Sequence, residues 1–244
     1  MISCKERNKK DKLEPSFAKA SEGKHERCTK MIFELVKETT VANHFLAELR
    51  DVNIQGDRLR FRKNLERLGQ ILAYELSKKL EYETRIIETP LGKTETRMIS
   101  GQPILIPILR AGIPFYNGVI SFFDHAGSGF IGAWRIEGQE ELDIEMNYMA
   151  APSIEDHNVI IIDPMLATGQ SLLLAVERLM KHGKPRHIHI LSVIASQQGI
   201  DNVVENMPMD YSIWVGAIDK DLNQQSYIVP GLGDAGDLSF GPKL

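Results

Sequence analysis

Val159, Ile160, Ile161 and Ile162 are four β-branched apolar residues in succession, with no polar position on either alternating face. A strand of that kind is buried on both sides, as in a parallel sheet. It ends at Asp163, because Pro164 has no N–H to donate to a central ladder. Comparable apolar runs over 103–109, 129–134, 187–195 and 211–218 predict four more strands. Helical spacing lies around and between them. Leu65, Leu68, Leu72, Leu76 and Leu80 recur at three- and four-residue steps behind Asp57, a candidate N-cap. A helix is also expected over 31–50, with Ile32, Leu35, Val36, Phe45, Leu46 and Leu49 as its apolar set, although Thr39, Thr40 and Val41 weaken its middle. Further apolar helices start near Ile113 and Leu172 and after Ser196. Residues 82–88 and 94–100 alternate around Thr89-Pro90-Leu91-Gly92, the pattern of a hairpin or a sheet edge. Strands alternating with helices place the chain in the α/β class, as one doubly wound, mostly parallel sheet.

Composition narrows this picture. The chain has 244 residues, 43% hydrophobic and 25% charged, enough for a large α/β core. A net charge of −4 argues against a nucleic-acid-binding surface. Residues 1–30 carry seven lysines among acids and few apolar residues, so they read as a charged, disordered extension before a domain over 31–244. Cys4 and Cys28 form no C-x-x-C motif and no metal-ligand spacing. No apolar run reaches transmembrane length, and the first residues hold no signal-peptide core, so no membrane association and a cytoplasmic location are expected.

Three places carry candidate chemistry. The first follows the apolar strand: Asp163-Pro164-Met165-Leu166-Ala167-Thr168-Gly169-Gln170-Ser171. Strand, small-residue loop and helix start in direct succession aim backbone N–H groups and a helix dipole at one point, which suits a phosphate. The plainer alternative is a βα turn with a Ser or Thr cap. The loop is neither a dinucleotide fingerprint nor a P-loop. The second is Arg110, which closes the run Pro103-Ile104-Leu105-Ile106-Pro107-Ile108-Leu109 ahead of Ala111-Gly112. An Arg ending a buried strand needs a partner for its charge, and an oxyanion would serve. Arg135 ends another short strand, before the acidic, weakly alternating stretch 136–149 that reads as a flexible arm. The third is the tail Tyr227-Ile228-Val229-Pro230-Gly231-Leu232-Gly233-Asp234-Ala235-Gly236-Asp237, whose glycines permit close backbone approach to a ligand or a series of tight turns. His182, His187 and His189 lack an acidic or cysteine partner at ligand spacing and read as surface or packing residues, so no metal ligand is assigned. The basic residues Arg58, Arg60, Arg62, Lys63 and Arg67 read as a solvated helix face.

The wording D-P-M-L-A-T-G-Q-S, with P-I-L-R-A-G and the tail Y-I-V-P-G-L-G-D-A-G-D, resembles the uracil phosphoribosyltransferase family. The three motifs agree in order and spacing, and the resemblance runs from roughly residue 57 to the C-terminus. The chain departs from the family wording at Ile136-Glu137-Gly138-Gln139 and at Gln197 and Gln198.

The resemblance implies a phosphoribosyltransferase fold with a small flexible arm or hood over the strand ends. It implies conversion of uracil and 5-phosphoribosyl 1-diphosphate (PRPP) to uridine monophosphate and diphosphate, a pyrimidine-salvage reaction. It assigns PRPP to Arg110, Arg135, Asp234 and the loop from Asp163 to Ser171. Uracil falls to Ile228, Gly233, Asp234 and Ala235. Asp163, Arg110 and Asp234 are then the catalytic set, with Mg²⁺ as cofactor. A homodimer or homotetramer, and GTP as activator of some members, come with the same resemblance. Two other readings stand beside it. One is a purine or orotate phosphoribosyltransferase, which a base-specificity assay separates. The other is a non-catalytic regulator that senses a nucleotide or binds RNA, which RNA filter binding separates.

Overall fold

The computed structural model describes residues 30–135 and 144–242, and the side chains of all these except 30, 133–135 and 144–147. Of the expected extension over 1–30 and the expected arm over 136–149, residues 1–29 and 136–143 lie outside the described residues; the rest is corrected, since Lys30 opens a strand and 144–149 belong to a strand paired antiparallel with the one ending at Arg135. The elements run β1 (Lys30–Glu34), α1 (Ala42–Arg50), α2 (Arg58–Ser77), β2 (Tyr82–Thr89), β3 (Gly92–Ile99), β4 (Ile104–Leu109) and α3 (Gly112–Ile120). Next come β5 (Gly127–Ser128), β6 (Phe130–Arg135), β7 (Ile144–Ala150), β8 (Asn158–Ile162), β9 (Met165–Leu166) and α4 (Gln170–Leu179). The chain closes with β10 (His187–Ser196), α5 (Gln197–Asn206), β11 (Tyr211–Asp219), β12 (Asp221–Leu222), β13 (Ile228–Val229) and α6 (Ala235–Phe240).

The main sheet has the path β1-β11-β10-β8-β4-β6-β7. Every pair along it is parallel except β6 with β7. Alternate residues of the central strands enter two cores. Ile160 and Ile162 pack with α1, α2 and α3, whereas Val159 and Ile161 pack with α4 and α5. Helices on both faces and parallel neighbours make the sheet doubly wound, as the sequence pattern predicts. Among the described residues, no helix is long and apolar enough to cross a membrane.

Asp57 caps α2, accepting from the backbone N–H groups of Leu59 and Arg60. The helix stops at Ser77, short of Leu80, which is nevertheless buried. β2 and β3 form a separate two-stranded sheet with mostly exposed side chains.

The expected helix over 31–50 is corrected in its first part. Residues 30–34 are an edge strand, with Lys30 opposite Tyr211 and Glu34 opposite Val215. Phe33 packs against Trp214 with the rings tilted by 42° and their centroids 5.2 Å apart, so the segment is held by a strand distant in the chain. Only Ala42–Arg50 is α-helical. The basic residues on α2 are more than a solvated face. Arg60 pairs with Glu48 of α1, whose carboxyl is held down to about 2 by hydrogen bonds from Arg60 and then Asn64. Arg62 donates to the Ser239 carbonyl at 2.7 Å and ties α6 to α2.

Candidate active site

The carboxyl ends of β4, β8, β10 and β11 lie together, because their registers run in parallel. Ligands in open α/β sheets bind at that edge. Asp163 stands there, half-buried, one residue past β8. Arg110 stands one residue past β4, next to it in the sheet, since Pro107 is opposite Ile162. The peptide joining Leu109 to Arg110 is cis.

The expected free loop over 163–171 is partly sheet. Met165 and Leu166 form β9 and pair with Ile194 and Ala195 of β10. The strand before it ends at Ile162, and the Asp163 N–H still donates to the Leu191 carbonyl at 3.1 Å. The Pro164 carbonyl accepts from the N–H groups of both Val193 and Ile194, at 3.0 Å each. Ser192 Oγ donates to the Asp163 carbonyl, and Ser196 Oγ donates to that of Ala167 at 2.6 Å. Asn202 Nδ2 donates to the Thr168 carbonyl at 2.7 Å. Pro164, Leu166, Ala167 and Gly169 are buried, so what they can offer a ligand is main chain.

α4 begins at Gln170, two residues before the expected Leu172, so Ser171 lies in its first turn. Its N-cap is Gly169, in the left-handed region at φ 79°, with no side-chain cap. The nearest substitute is Thr168 Oγ1, 3.4 Å from the Gln170 N–H. The Thr-capped βα turn is thus present only as this long bond to the Gln170 N–H, and the next N–H groups of the first turn, which have no intrahelical acceptor, suit an anion.

Ser196, Gly199 and Asn202 were not singled out by sequence, where this region stood out only for Gln197 and Gln198. Gln197 bonds to Asp201 within α5 and is exposed. Gly199 is the closer neighbour of the loop. A Cβ there would sit 2.2 Å from the Ala167 carbonyl oxygen.

The tail folds back onto the same edge. Ile228 is buried and pairs with Leu222, and the Val229–Pro230 peptide is cis. Gly233 is exposed with φ 89°. Asp234 caps α6 by accepting from the Asp237 N–H at 2.9 Å, and Ala235 is the buried first residue of that helix. Arg110 Nη2 reaches Asp237 Oδ1 at 3.1 Å and the Gly241 carbonyl at 3.4 Å. A Cβ on Gly236 would meet Asp234 Oδ1 at 3.1 Å and Arg110 Nη2 at 3.6 Å. Arg110 and Asp234 thus come from separate motifs into one small cluster. Arg135 ends β6 at the same edge, beyond the Leu109–Gly132 pair, and its side chain lies outside the described residues.

Two further residues brace the tail. Asp219, the last residue of β11, is buried and forms a bidentate ion pair with Arg50 at 2.8 and 2.9 Å. Asp219 Oδ2 also accepts from the Gly231 N–H at 3.0 Å, and Arg50 Nη1 donates to the Gly231 carbonyl at 3.2 Å. Sequence offers a signal for Asp219 alone, which ends an apolar strand just as Arg110 does, and none for its pairing with Arg50.

The histidines lie elsewhere. His187 and His189 share one face of β10 near its start, with ring centroids 4.5 Å apart. Both reach Ser212 Oγ, His187 Nε2 at 3.2 Å and His189 Nδ1 at 2.7 Å, and Trp214 Nε1 donates to the same oxygen. Burial, and then the neighbouring His187, pushes His189 down to about 3, and burial also lowers His187.

The family model for uracil phosphoribosyltransferase matches residues 36–242. A uracil phosphoribosyltransferase of Porphyromonas gingivalis is 48% identical over 214 residues, covering 87% of this chain and 99% of its own. Another, from Thermococcus gammatolerans, is 41% identical and covers 82% of this chain and 88% of its own. A solved structure from Aquifex aeolicus superposes with a TM-score of 0.78 at 33% identity, covering 86% of this chain and 98% of that one. The motifs at the sheet edge therefore sit in a chain whose likeness to these relatives extends across nearly all of the described residues, and it belongs to the uracil phosphoribosyltransferase family.

Proposed function

We propose that the protein transfers the phosphoribosyl group of PRPP to uracil, giving uridine monophosphate and diphosphate. Beside family membership, one observation carries this reading. Arg110 and the glycine-rich tail, far apart in sequence, meet beside the Asp163 loop through the 3.1 Å contact to Asp237. A two-substrate transfer needs a phosphate cradle, a cation for the leaving group and a base pocket within reach of one another.

The open start of α4, with main-chain N–H groups over 166–171 and the Thr168 and Ser171 hydroxyls, suits the 5′-phosphate. Arg110 and Arg135 are the cations for the departing diphosphate. Asp163 accepts from a ribose hydroxyl and adds negative charge beside the ribosyl cation as the glycosidic bond breaks. The Ile228 main chain and the N–H groups of Gly233 to Ala235 read the edge of the base, with Asp234 between base and sugar. No covalent nucleophile is needed.

Mg²⁺ fits this donor set. It keeps several waters and is usually held by one or two carboxylates with substrate phosphates. Asp163 and Asp234 could serve in that way, and among the described residues no three His, Cys, Asp or Glu converge into an all-protein cage. Bound with the diphosphate, the ion would neutralise charge building on the leaving group. The family resemblance supports a homodimer or homotetramer, GTP as activator and a cytoplasmic location. Sedimentation, and rates with and without GTP, test the first two.

The direct test incubates the protein with labelled uracil, PRPP and Mg²⁺. Labelled uridine monophosphate formed in proportion to enzyme is the expected result. Its absence from folded protein, across a range of PRPP concentrations, overturns the proposal.

A further inference from the structure

We infer that Arg50 and Asp219 are positioning residues for the base pocket, holding the tail so that its N–H groups meet uracil in one register. This rests on the reading of the tail as the uracil site.

The inference starts from Gly231. Both of its main-chain polar groups are taken by a single ion pair: its N–H by Asp219 Oδ2 at 3.0 Å, its carbonyl by Arg50 Nη1 at 3.2 Å. Two bonds from two directions fix the orientation of both peptide planes flanking the residue. The residue must be glycine, since φ is 59° and a Cβ would lie 2.0 Å from the Ile228 carbonyl oxygen. Gly231 sits between Ile228 on one side and Gly233, Asp234 and Ala235 on the other. A rotation there would move both halves of the proposed pocket relative to each other.

The clamp is itself well founded. Asp219 closes the buried strand β11, and Arg50 closes α1, so each charge is fixed by a regular element. Gln55 Nε2 adds a bond to the Arg50 carbonyl at 3.1 Å, and its Oε1 is 3.9 Å from the position of a Cβ on Gly233. A planar guanidinium can meet a carboxylate with two N–H groups and still turn one toward a third acceptor, which an ammonium cannot do in the same plane. Asp219 contacts the tail's main chain from behind and is buried, so its effect on the reaction runs through Gly231.

Steady-state kinetics of Arg50→Lys and Asp219→Asn test this, with KM measured separately for uracil and PRPP. Arg50→Lys keeps the buried carboxylate paired while losing the forked geometry, so it guards against simple unfolding. The expected result is a uracil KM raised roughly tenfold or more, with PRPP KM changed less than about twofold and a narrower preference for uracil over cytosine. Hydrogen exchange gives a readout that needs no turnover: the Gly231 amide, whose acceptor is Asp219, should be protected in the wild type, lose most protection in Asp219→Asn and lose part of it in Arg50→Lys, with β10 amides unchanged. Unchanged uracil KM and unchanged Gly231 protection in folded variants overturn the clamp. Equal rises in both KM values, with protection lost throughout the sheet, reduce it to general stability and also overturn it. If the wild type turns over no uracil while Gly231 protection still collapses in the variants, the clamp stands as a brace and the uracil reading falls.

Discussion

Arg110 and Asp237 are 127 residues apart in the chain, and their Nη2 and Oδ1 atoms are 3.1 Å apart. Both side chains are about two-fifths exposed. An ion pair that accessible adds only about 0–1 kcal/mol to stability. Arg110 is therefore available to exchange Asp237 for a more strongly charged diphosphate. Arg110→Ala should leave thermal unfolding nearly unchanged while kcat/KM falls by about 2–4 kcal/mol of transition-state stabilisation. Near wild-type kcat/KM in the folded variant would remove Arg110 from the site.

Gly199→Ala should act on PRPP. Its new methyl would fall 2.2 Å from the Ala167 carbonyl oxygen and 2.9 Å from that of Leu166, so α5 must back away from the loop. Overpacking of this sort costs about 1–3 kcal/mol. PRPP KM should rise more than uracil KM. Equal values for variant and wild type would mean that the loop tolerates displacement and is not the phosphate cradle.

The base pocket should take uracil and reject cytosine. Uracil offers two carbonyl oxygens flanking the N3–H, whereas cytosine puts an amino group at C4 and an acceptor at N3. Main-chain donors over 233–235 would then face a donor. Sites built on such bonds discriminate by about 10⁴-fold, because buried polar groups are left unpaired. Orotate should fail because its carboxylate needs a cation: residues 227–237 contain no Lys or Arg, and the two arginines that reach them are engaged, Arg50 by Asp219 and Arg110 by Asp237. Initial rates with the three bases at equal concentration decide the matter, and comparable turnover of cytosine would sink the uracil assignment.

Much of this was legible in sequence, for identifiable reasons. Val159 to Ile162 carry their burial in their own side chains, and Asp57 announces α2 because capping is a local bond. The strand at Met31 to Glu34 was not legible as a strand. Its pairing partner begins at Tyr211, and its apolar residues, continued by Leu35 and Val36, fit a helical face equally well. The clamp was hidden for a related reason. Arg50 looked like an ordinary basic residue in a last helical turn, and only the fold brings it to Asp219 and Gly231. The grip of α5 on the loop was hidden because Gly199 acts through the space it leaves empty.

Stability should fall with pH below neutrality because of the histidine pair. An unfolded His titrates near 6.5, whereas His189 in the fold is pushed down to about 3 by burial and by His187. His187 is lowered too, with Asp210 partly opposing the burial. Between those limits the unfolded chain takes up protons that the folded one refuses. Stability is thus undiminished above about 6.5 and lost as pH drops toward 3. Ser212 Oγ has one proton and already accepts from Trp214, so it can accept from one further donor and cannot satisfy two doubly protonated rings. Glu48 adds a separate loss lower down, between the ordinary value of 4.5 and about 2, because Arg60 and Asn64 hydrogen-bond its carboxylate. Urea unfolding at pH 7 and pH 5 should show His189→Gln losing less than wild type, by on the order of 1–2 kcal/mol. Identical pH dependence in the two proteins would clear the pair of this role.

Removing residues 1–29 should leave activity and melting temperature about unchanged, on the ground of their charged, low-apolar composition. Removing five more, through Glu34, should lower the melting temperature by several degrees. That cut takes β1 from the sheet edge, Phe33 from Trp214, and the Glu34 carboxylate from the Ile218 N–H. A large drop from the shorter truncation would show that residues 1–29 pack on the domain or on a partner copy.

The tethering of the 163–171 loop to β10 and α5 has an electrostatic consequence. The carbonyls of Asp163, Pro164, Ala167 and Thr168 all point toward the protein, into bonds from Ser192, Val193, Ile194, Ser196 and Asn202. In a trans peptide the N–H points opposite to the carbonyl. The N–H groups of Thr168 and Gly169, which share peptides with two of those carbonyls, must therefore face the other way. The loop has a polarity like that of a diode: oxygens behind, hydrogens in front. It sorts approaching groups by sign before any side chain is involved. Sulfate should compete with PRPP there, and an uncharged ester in place of the 5′-phosphate should gain almost nothing from the loop.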